Sequence, residues 1–281
     1  MKNKKMLTGQ GIGVAVLDTG IFPHADFDNR IIAFHDFVQY KSRLYDDNGH
    51  GTHVSGIIAG SGLASDGRYR GMAPGCHIIA LKVLDQNGNG QRKDILKALK
   101  WVMKNHEKYN IRIVNISVGT TTQNEKQHRE LIDGVEEVWD AGLVVVTAAG
   151  NRGPNPGSIT APGSSKKVIT VGSSDMLKGN KLVSSIGPTR DCICKPDIVT
   201  IGNKIISCAP SLVREKAYTK KSGTSMSTPR ISGAAALLLE KDPLLSNVEV
   251  KMILRQSARD LGLARNQQGW GEFDLSSFLS Y

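Results

Sequence analysis

The 281-residue chain is short of aromatics, at 5%, and holds only 4 cysteines. Without aromatics interleaved among its basic residues it has no stacking surface for bases, so no nucleic-acid partner is expected. Cys192 and Cys194 are one residue apart, a poor spacing for bonding each other, and no Cys-x-x-Cys pair suggests zinc. The four thiols, with Cys76 and Cys208, read as the reduced cysteines of a cytoplasmic protein. A disulfide from Cys192 or Cys194 to Cys208 is the alternative. No apolar run has the length of a membrane span, so no membrane partner is expected. No Pro/Gly/Ser-rich linker and no repeat divides residues 1–281, which read as one domain with no propeptide domain in it. Acidic residues are outnumbered, 26 against 36 Lys and Arg, for a net charge of +10. The basic clusters at Lys2–Lys5, Lys166-Lys167 and Arg214 to Lys221 read as solvated surface. A preference for acidic substrates is the other reading of that charge. The basic start looks like the head of a signal peptide. However, the apolar stretch after it, Ile12 to Leu17, runs straight into Asp18, and its removal would delete a strand. The expected location is therefore cytoplasmic, or secreted if a presequence has been removed.

What the chain does have is 40% apolar residues and 30 glycines, which suits an α/β protein with many tight turns. Apolar, β-branched runs at Ile12–Leu17, His77–Leu84, Ile111–Ser117, Leu143–Ala148, Val168–Val171 and Asp197–Ile201 predict buried strands of a mostly parallel sheet. Helical patterns lie between and after them, at Lys93–Asn105, Lys126–Ala141, Ser225–Glu240 and from a capping box at Ser246 to Ala258. The fold class is α/β: a single doubly wound domain, its sheet flanked by helices, with right-handed crossovers. Gly9-Gln10-Gly11-Ile12-Gly13 precedes its strand, whereas a phosphate loop follows one. Asn115-Ile116-Ser117 matches a glycosylation sequon, but inside a buried strand it reads as structural.

Three stretches carry chemistry. Gly223-Thr224-Ser225-Met226-Ser227-Thr228-Pro229-Arg230 seats a serine at the start of an apolar helix, where the helix dipole favours developing negative charge. A plain Ser/Thr helix cap has the same local composition. Val14-Ala15-Val16-Leu17-Asp18-Thr19-Gly20 ends a strand in a carboxylate. His50-Gly51-Thr52-His53-Val54-Ser55-Gly56 places His53 at the head of another helix. A fourth stretch, Val146-Thr147-Ala148-Ala149-Gly150-Asn151, ends a strand in an asparagine.

In the order Asp, His, Ser these motifs closely resemble the subtilisin-like serine proteases, over nearly the whole chain, and the Gly60 to Gly71 loop with the Lys166-Lys167 pair looks like their intracellular branch. The resemblance implies a serine endopeptidase acting on protein or peptide substrates. Ser225 would be the nucleophile, His53 the general base, Asp18 its orienting carboxylate and Asn151 the oxyanion amide. It further implies that Ser117, Val118 and Gly119 pair with an extended substrate. Ala148, Ala149 and Gly150 would wall the pocket for the residue before the cut. Arg152 would stand at that pocket's rim and Thr160 near its floor, which predicts poor cleavage after Lys or Arg. Medium apolar residues, or acidic ones paired with Arg152, should do better. The segment Gly60 to Gly71 lacks the asparagine-rich calcium loop of secreted relatives and has one carboxylate, Asp66. No cofactor is required on this reading and no metal ligand is named; calcium elsewhere is left unassigned. The alternative function is a silent, peptide-binding pseudoprotease.

Overall fold

The computed structural model describes residues 6–119, 124–177 and 183–281; the Met1–Lys5 start lies outside them. Its main strands are β1 (Gly13–Asp18), β2 (Ile31–Asp36), β3 (His77–Lys82), β4 (Ile111–Ile116), β5 (Val144–Ala148), β6 (Ile169–Ser173) and β7 (Ile198–Thr200). They form one parallel sheet in the order β2-β3-β1-β4-β5-β6-β7. The continuous apolar runs are explained by burial on both faces: Val14, Ala15, Val16 and Leu17 of β1 are all buried. Each such Val or Leu contributes about 1.5–3 kcal/mol by leaving water. The edge strand β2 was not expected from the sequence. Most of its residues are only partly covered, although Ile31 to Phe34 form an apolar run that the sequence reading passed over.

The long helices are α1 (His50–Ala59), α2 (Arg92–Asn105), α3 (Glu125–Asp140), α4 (Thr224–Lys241) and α5 (Asn247–Ser257), followed by short α6 (Arg265–Gln268) and α7 (Leu275–Leu279). The capping box of α5 forms as its sequence predicts, with Ser246 and Glu249 bonding each other's backbone. Helix α1 packs on α4, and α2 on α3, as two separate layers over the sheet. The connections β2 to β3 and β3 to β4 step across the sheet in the same direction, yet carry helices of different layers. One of them must then be left-handed, which corrects the expectation of uniformly right-handed crossovers.

The sheet order reverses at β1, whose end therefore opens a crevice between β3 and β4. Asp18 closes β1, Ser117 follows β4 and Ala148 closes β5, so three of the motifs end at one edge of the sheet. A small antiparallel hairpin of β8 (Ile205–Cys208) and β9 (Tyr218–Lys221) completes the surroundings and leads into α4. It too was not expected from the sequence. All four cysteines are free; buried Cys208 bonds the Asp26 carboxylate, so the alternative disulfide to Cys192 or Cys194 does not form.

Candidate active site

The turn after β1 is built from buried polar groups. Lys82 is fully buried, and its ammonium donates to Thr19 O at 2.6 Å, Leu84 O at 2.8 Å and Asp47 Oδ1 at 2.7 Å. Asp46 gathers the start of α1. It accepts from Thr19 Oγ1 at 2.8 Å, Gly49 N at 2.7 Å, Thr52 N at 2.8 Å and Thr52 Oγ1 at 2.6 Å. Burial alone would raise the Asp46 pKa; these donors outweigh it and hold the carboxyl below its ordinary value. Sequence reasoning passed over both residues, since nothing in Tyr45-Asp46-Asp47-Asn48 marks one carboxylate as buried.

Gly49, at φ 88°, caps α1 and makes His50 its first residue. His50 Nδ1 lies 2.7 Å from Asp18 Oδ1, which also accepts the Thr19 N–H. Burial lowers the pKa of His50, but the Asp18 charge and hydrogen bond overcome this and raise it above 6.5.

The geometry therefore corrects the assignment of His53. That residue lies one turn further in, fully buried, with Nε2 at 3.1 Å from Ile205 O and 3.2 Å from Thr219 O. These two acceptors require the proton on Nε2. Burial is the main cause that lowers the His53 pKa to about 4, with the charges of Lys221 and His50 pushing the same way. His53 pins the β8–β9 hairpin beneath α1, and His50 faces Asp18 in the place expected for it.

Ser225 stands in the first turn of α4, where backbone N–H groups have no helical acceptor. Its Oγ donates to Ser117 O at 2.7 Å. Ser117 is held by a buried chain in which Ser232 Oγ donates to Asn115 Oδ1 at 2.8 Å and Asn115 Nδ2 donates to Ser117 Oγ at 2.9 Å. Asn115 is thus a structural group, as its place in a strand implied. Asn151 Oδ1 accepts from Thr224 N at 2.9 Å and Thr224 Oγ1 at 3.2 Å, so its amide NH₂ is the end left for the cleft. A Cβ at Gly223, whose φ is 149°, would come within 3.2 Å of that nitrogen. The site thus needs glycine there.

Two segments flank this group. The β4–β5 ladder ends at Ile116, leaving the backbone of Ser117, Val118 and Gly119 beyond it. Ala148, Ala149 and Gly150 continue β5 on the other side. Thr160 fills the space between them. A Cβ at Gly119 would collide with its Oγ1, and one at Gly150 would come within 2.7 Å of it. The hydroxyl bonds Ala149 O at 3.3 Å. Arg152 is exposed, and among the described residues its anchor is its backbone N–H, which donates to Ser185 Oγ at 3.0 Å.

A family model described as the subtilase family matches residues 9–271. The chain belongs to that family. This subtilase is 42% identical to the serine protease AprX of Bacillus subtilis (strain 168) over 277 residues, covering 91% of the chain and 63% of AprX. It is 34% identical to the minor extracellular protease Epr of the same organism, covering 95% of the chain and 38% of Epr. It is 36% identical over 256 residues to Subtilisin Savinase of Lederbergia lenta, covering 91% of the chain and 86% of that relative. A crystal structure of a cold adapted subtilisin-like serine proteinase superposes with a TM-score of 0.75 at 28% identity, covering 95% of this chain and 88% of that one. The chain spans less than two thirds of the length of AprX and of Epr.

The loop at Gly60 to Gly71 does not fit a tight calcium site. Its Asp66 is exposed and paired with Arg214 at 2.9 Å, where a hard cation wants several oxygen ligands. Among the described residues, one group with three metal-capable side chains was found: buried His24, Asp26 and Cys208. Its atoms are already engaged. Asp26 accepts from Gly62 N, Ala64 N, Tyr218 OH and Cys208 Sγ, and both His24 nitrogens bond the backbone.

Proposed function

We propose that this subtilase is a serine endopeptidase whose base is His50. The 2.7 Å contact between Asp18 and His50, at the same sheet edge as Ser225, carries the reading. Asp18 fixes the tautomer with the proton on Nδ1, which leaves Nε2 free to take a proton. Ser225 Oγ turns about its Cα–Cβ bond from Ser117 O toward His50, loses its proton to Nε2 and attacks the scissile carbonyl. Asn151 Nδ2 and the Ser225 N–H stabilise the oxyanion. The imidazolium then protonates the leaving amine. Water hydrolyses the acyl-enzyme by the same path in reverse. No metal or cofactor enters any step.

The substrate lies extended along Ser117, Val118 and Gly119, its acyl-side residue between them and Ala148, Ala149 and Gly150. Thr160 shortens that pocket, so small and medium apolar residues fit before the cut and Lys or Arg do not. Arg152, exposed at the rim, offers an acidic residue there a partner. A cytoplasmic setting accords with the four free thiols, and a secreted one with the printed name of Epr.

The competing reading, peptide binding without hydrolysis, draws on the Ser225 hydroxyl resting on Ser117 O. A serine-directed fluorophosphonate with intact-mass readout separates the two. One adduct on wild type, absent from Ser225→Ala, is the expected result. No adduct on folded protein would reject hydrolysis.

A further inference from the structure

The β8–β9 hairpin packs against α1, the helix that carries His50, and leads into α4 just before Ser225. It is fixed there by His53, which bonds both of its strands, at Ile205 O and Thr219 O. Lys221 ends β9, opposite Ile205, and only Ser222, Gly223 and Thr224 separate it from Ser225. Its side chain is half-buried. Other covered lysines have acceptors: Lys82 has three, Lys195 bonds Val168 O and Asp197, and Lys251 bonds three successive carbonyls. The Lys221 ammonium has no hydrogen-bond or ion-pair partner among the described residues. It is nevertheless near enough for its charge to act on both His50 and His53.

A half-desolvated cation without an anion is an incomplete pair, and a ligand carboxylate completes it. Where that carboxylate must come from follows from the direction of the substrate. A peptide whose acyl half lies along Ser117–Gly119 carries its leaving half across Ser225 to the other flank, over Lys221. Exposed Lys204, next to Ile205 at the start of β8, gives that flank the same sign.

We propose that Lys221 selects substrates with an aspartate or glutamate just beyond the bond to be cut. The inference rests on the hydrolytic reading above and names the substrate class for it. It also gives a local use to part of the basic excess, which composition alone assigned to solvated surface.

The test is a set of peptides with one acyl half and Asp, Glu, Ala or Lys in the first two leaving-side positions. Acidic peptides should be cut with a kcat/KM on the order of tenfold above the alanine peptide, and the ratio should shrink as salt rises. Lys221→Gln should bring the ratio near one, and Lys221→Arg should keep it. The charged groups acting on His50 are Asp18, Lys221 and Asp46; His53, one turn further along α1, stays neutral there. Loss of Lys221 should move the acid limb of kcat/KM to higher pH, a shift that a purely structural lysine would not produce. Equal cleavage of acidic and neutral peptides by wild type, or a preference that survives in Lys221→Gln, overturns the proposal. No cleavage of any peptide, together with no fluorophosphonate adduct, would instead sink the hydrolytic reading beneath it.

Discussion

His50 meets a carboxylate at 2.7 Å, while His53, three residues along the same helix, meets two carbonyl oxygens at 3.1 and 3.2 Å. Both imidazoles are largely withdrawn from water, so desolvation presses the same way on each. The partner decides the outcome. Asp18 lifts the pKa of His50 above 6.5, and His53, with no carboxylate, falls to about 4. One holds a proton more readily than a free imidazole, because of its carboxylate. The other is held neutral, as a fixed donor that ties a hairpin to a helix.

The comparison breaks first by mutation. Ser225→Ala and His50→Ala should each lower kcat by on the order of 10⁶, while His53→Gln should leave the folded enzyme within about tenfold of wild type. Single-turnover acylation on protein of matched fold checks this. An active His50→Ala beside a folded but dead His53→Gln would reverse the two roles.

Next comes the oxyanion amide. Asn151→Ala should cost about 10²–10³ in kcat with KM little changed, because the contact forms only as charge develops. Steady-state kinetics showing a change confined to KM would remove Asn151 from that role.

Acid separates the histidines without mutation. Unfolded His53 takes a proton below about 6.5, but the folded protein resists until about 4, so unfolded chains bind the extra proton between those values. His53 therefore contributes its stability above pH 6.5, and loses roughly 3 kcal/mol of it as the pH falls to about 4. Denaturant melts at stepped pH should show the slope in wild type and a flatter one in His53→Gln. For His50 the sign concerns activity: a raised pKa puts the acid limb of kcat/KM above pH 6.5, and activity declines as pH drops through it. A limb below 6.5 would contradict the Asp18 pairing.

The smallest effect sharpens the pocket. Thr160→Gly empties the space between Gly119 and Gly150 and should favour Leu or Phe over Ala before the cut by about tenfold, read as a ratio of kcat/KM. An unchanged ratio would mean that Thr160 does not set the depth.

Much of this was legible in the sequence because parallel strands buried on both faces leave unbroken apolar runs. Their ends led to Asp18, Ala148 and Asn151, and the Gly-Thr-Ser turn led to Ser225. The two histidines were confused because His-Gly-Thr-His presents both in one motif, and only the start of α1 distinguishes them. Gly49, behind the polar run Asp46-Asp47-Asn48, was the available signal for that start. It puts His50 in the first turn and leaves His53 among Val54, Ile57 and Ile58 on the buried side. The hairpin escaped because its strands are short and partly exposed, whereas β2 carries an apolar run, Ile31 to Phe34, that was passed over. The burial of Lys82 depends on acceptors converging from separate elements, and no local pattern in a chain records that.

The groups at the cleft are remote from one another along the chain. Asp18 reaches His50 across 32 residues, Thr224 reaches Asn151 across 73, and Ser225 reaches Ser117 across 108. That is high contact order concentrated at a single place, and such contacts close late because long loops must be ordered first. The strand ends that bear Asp18, Ser117 and Ala148 come together only when β1, β4 and β5 lie side by side. A half-folded chain therefore holds the pieces of a blade without an edge, and on the hydrolytic reading its exposed neighbours are safe from it until the sheet has closed.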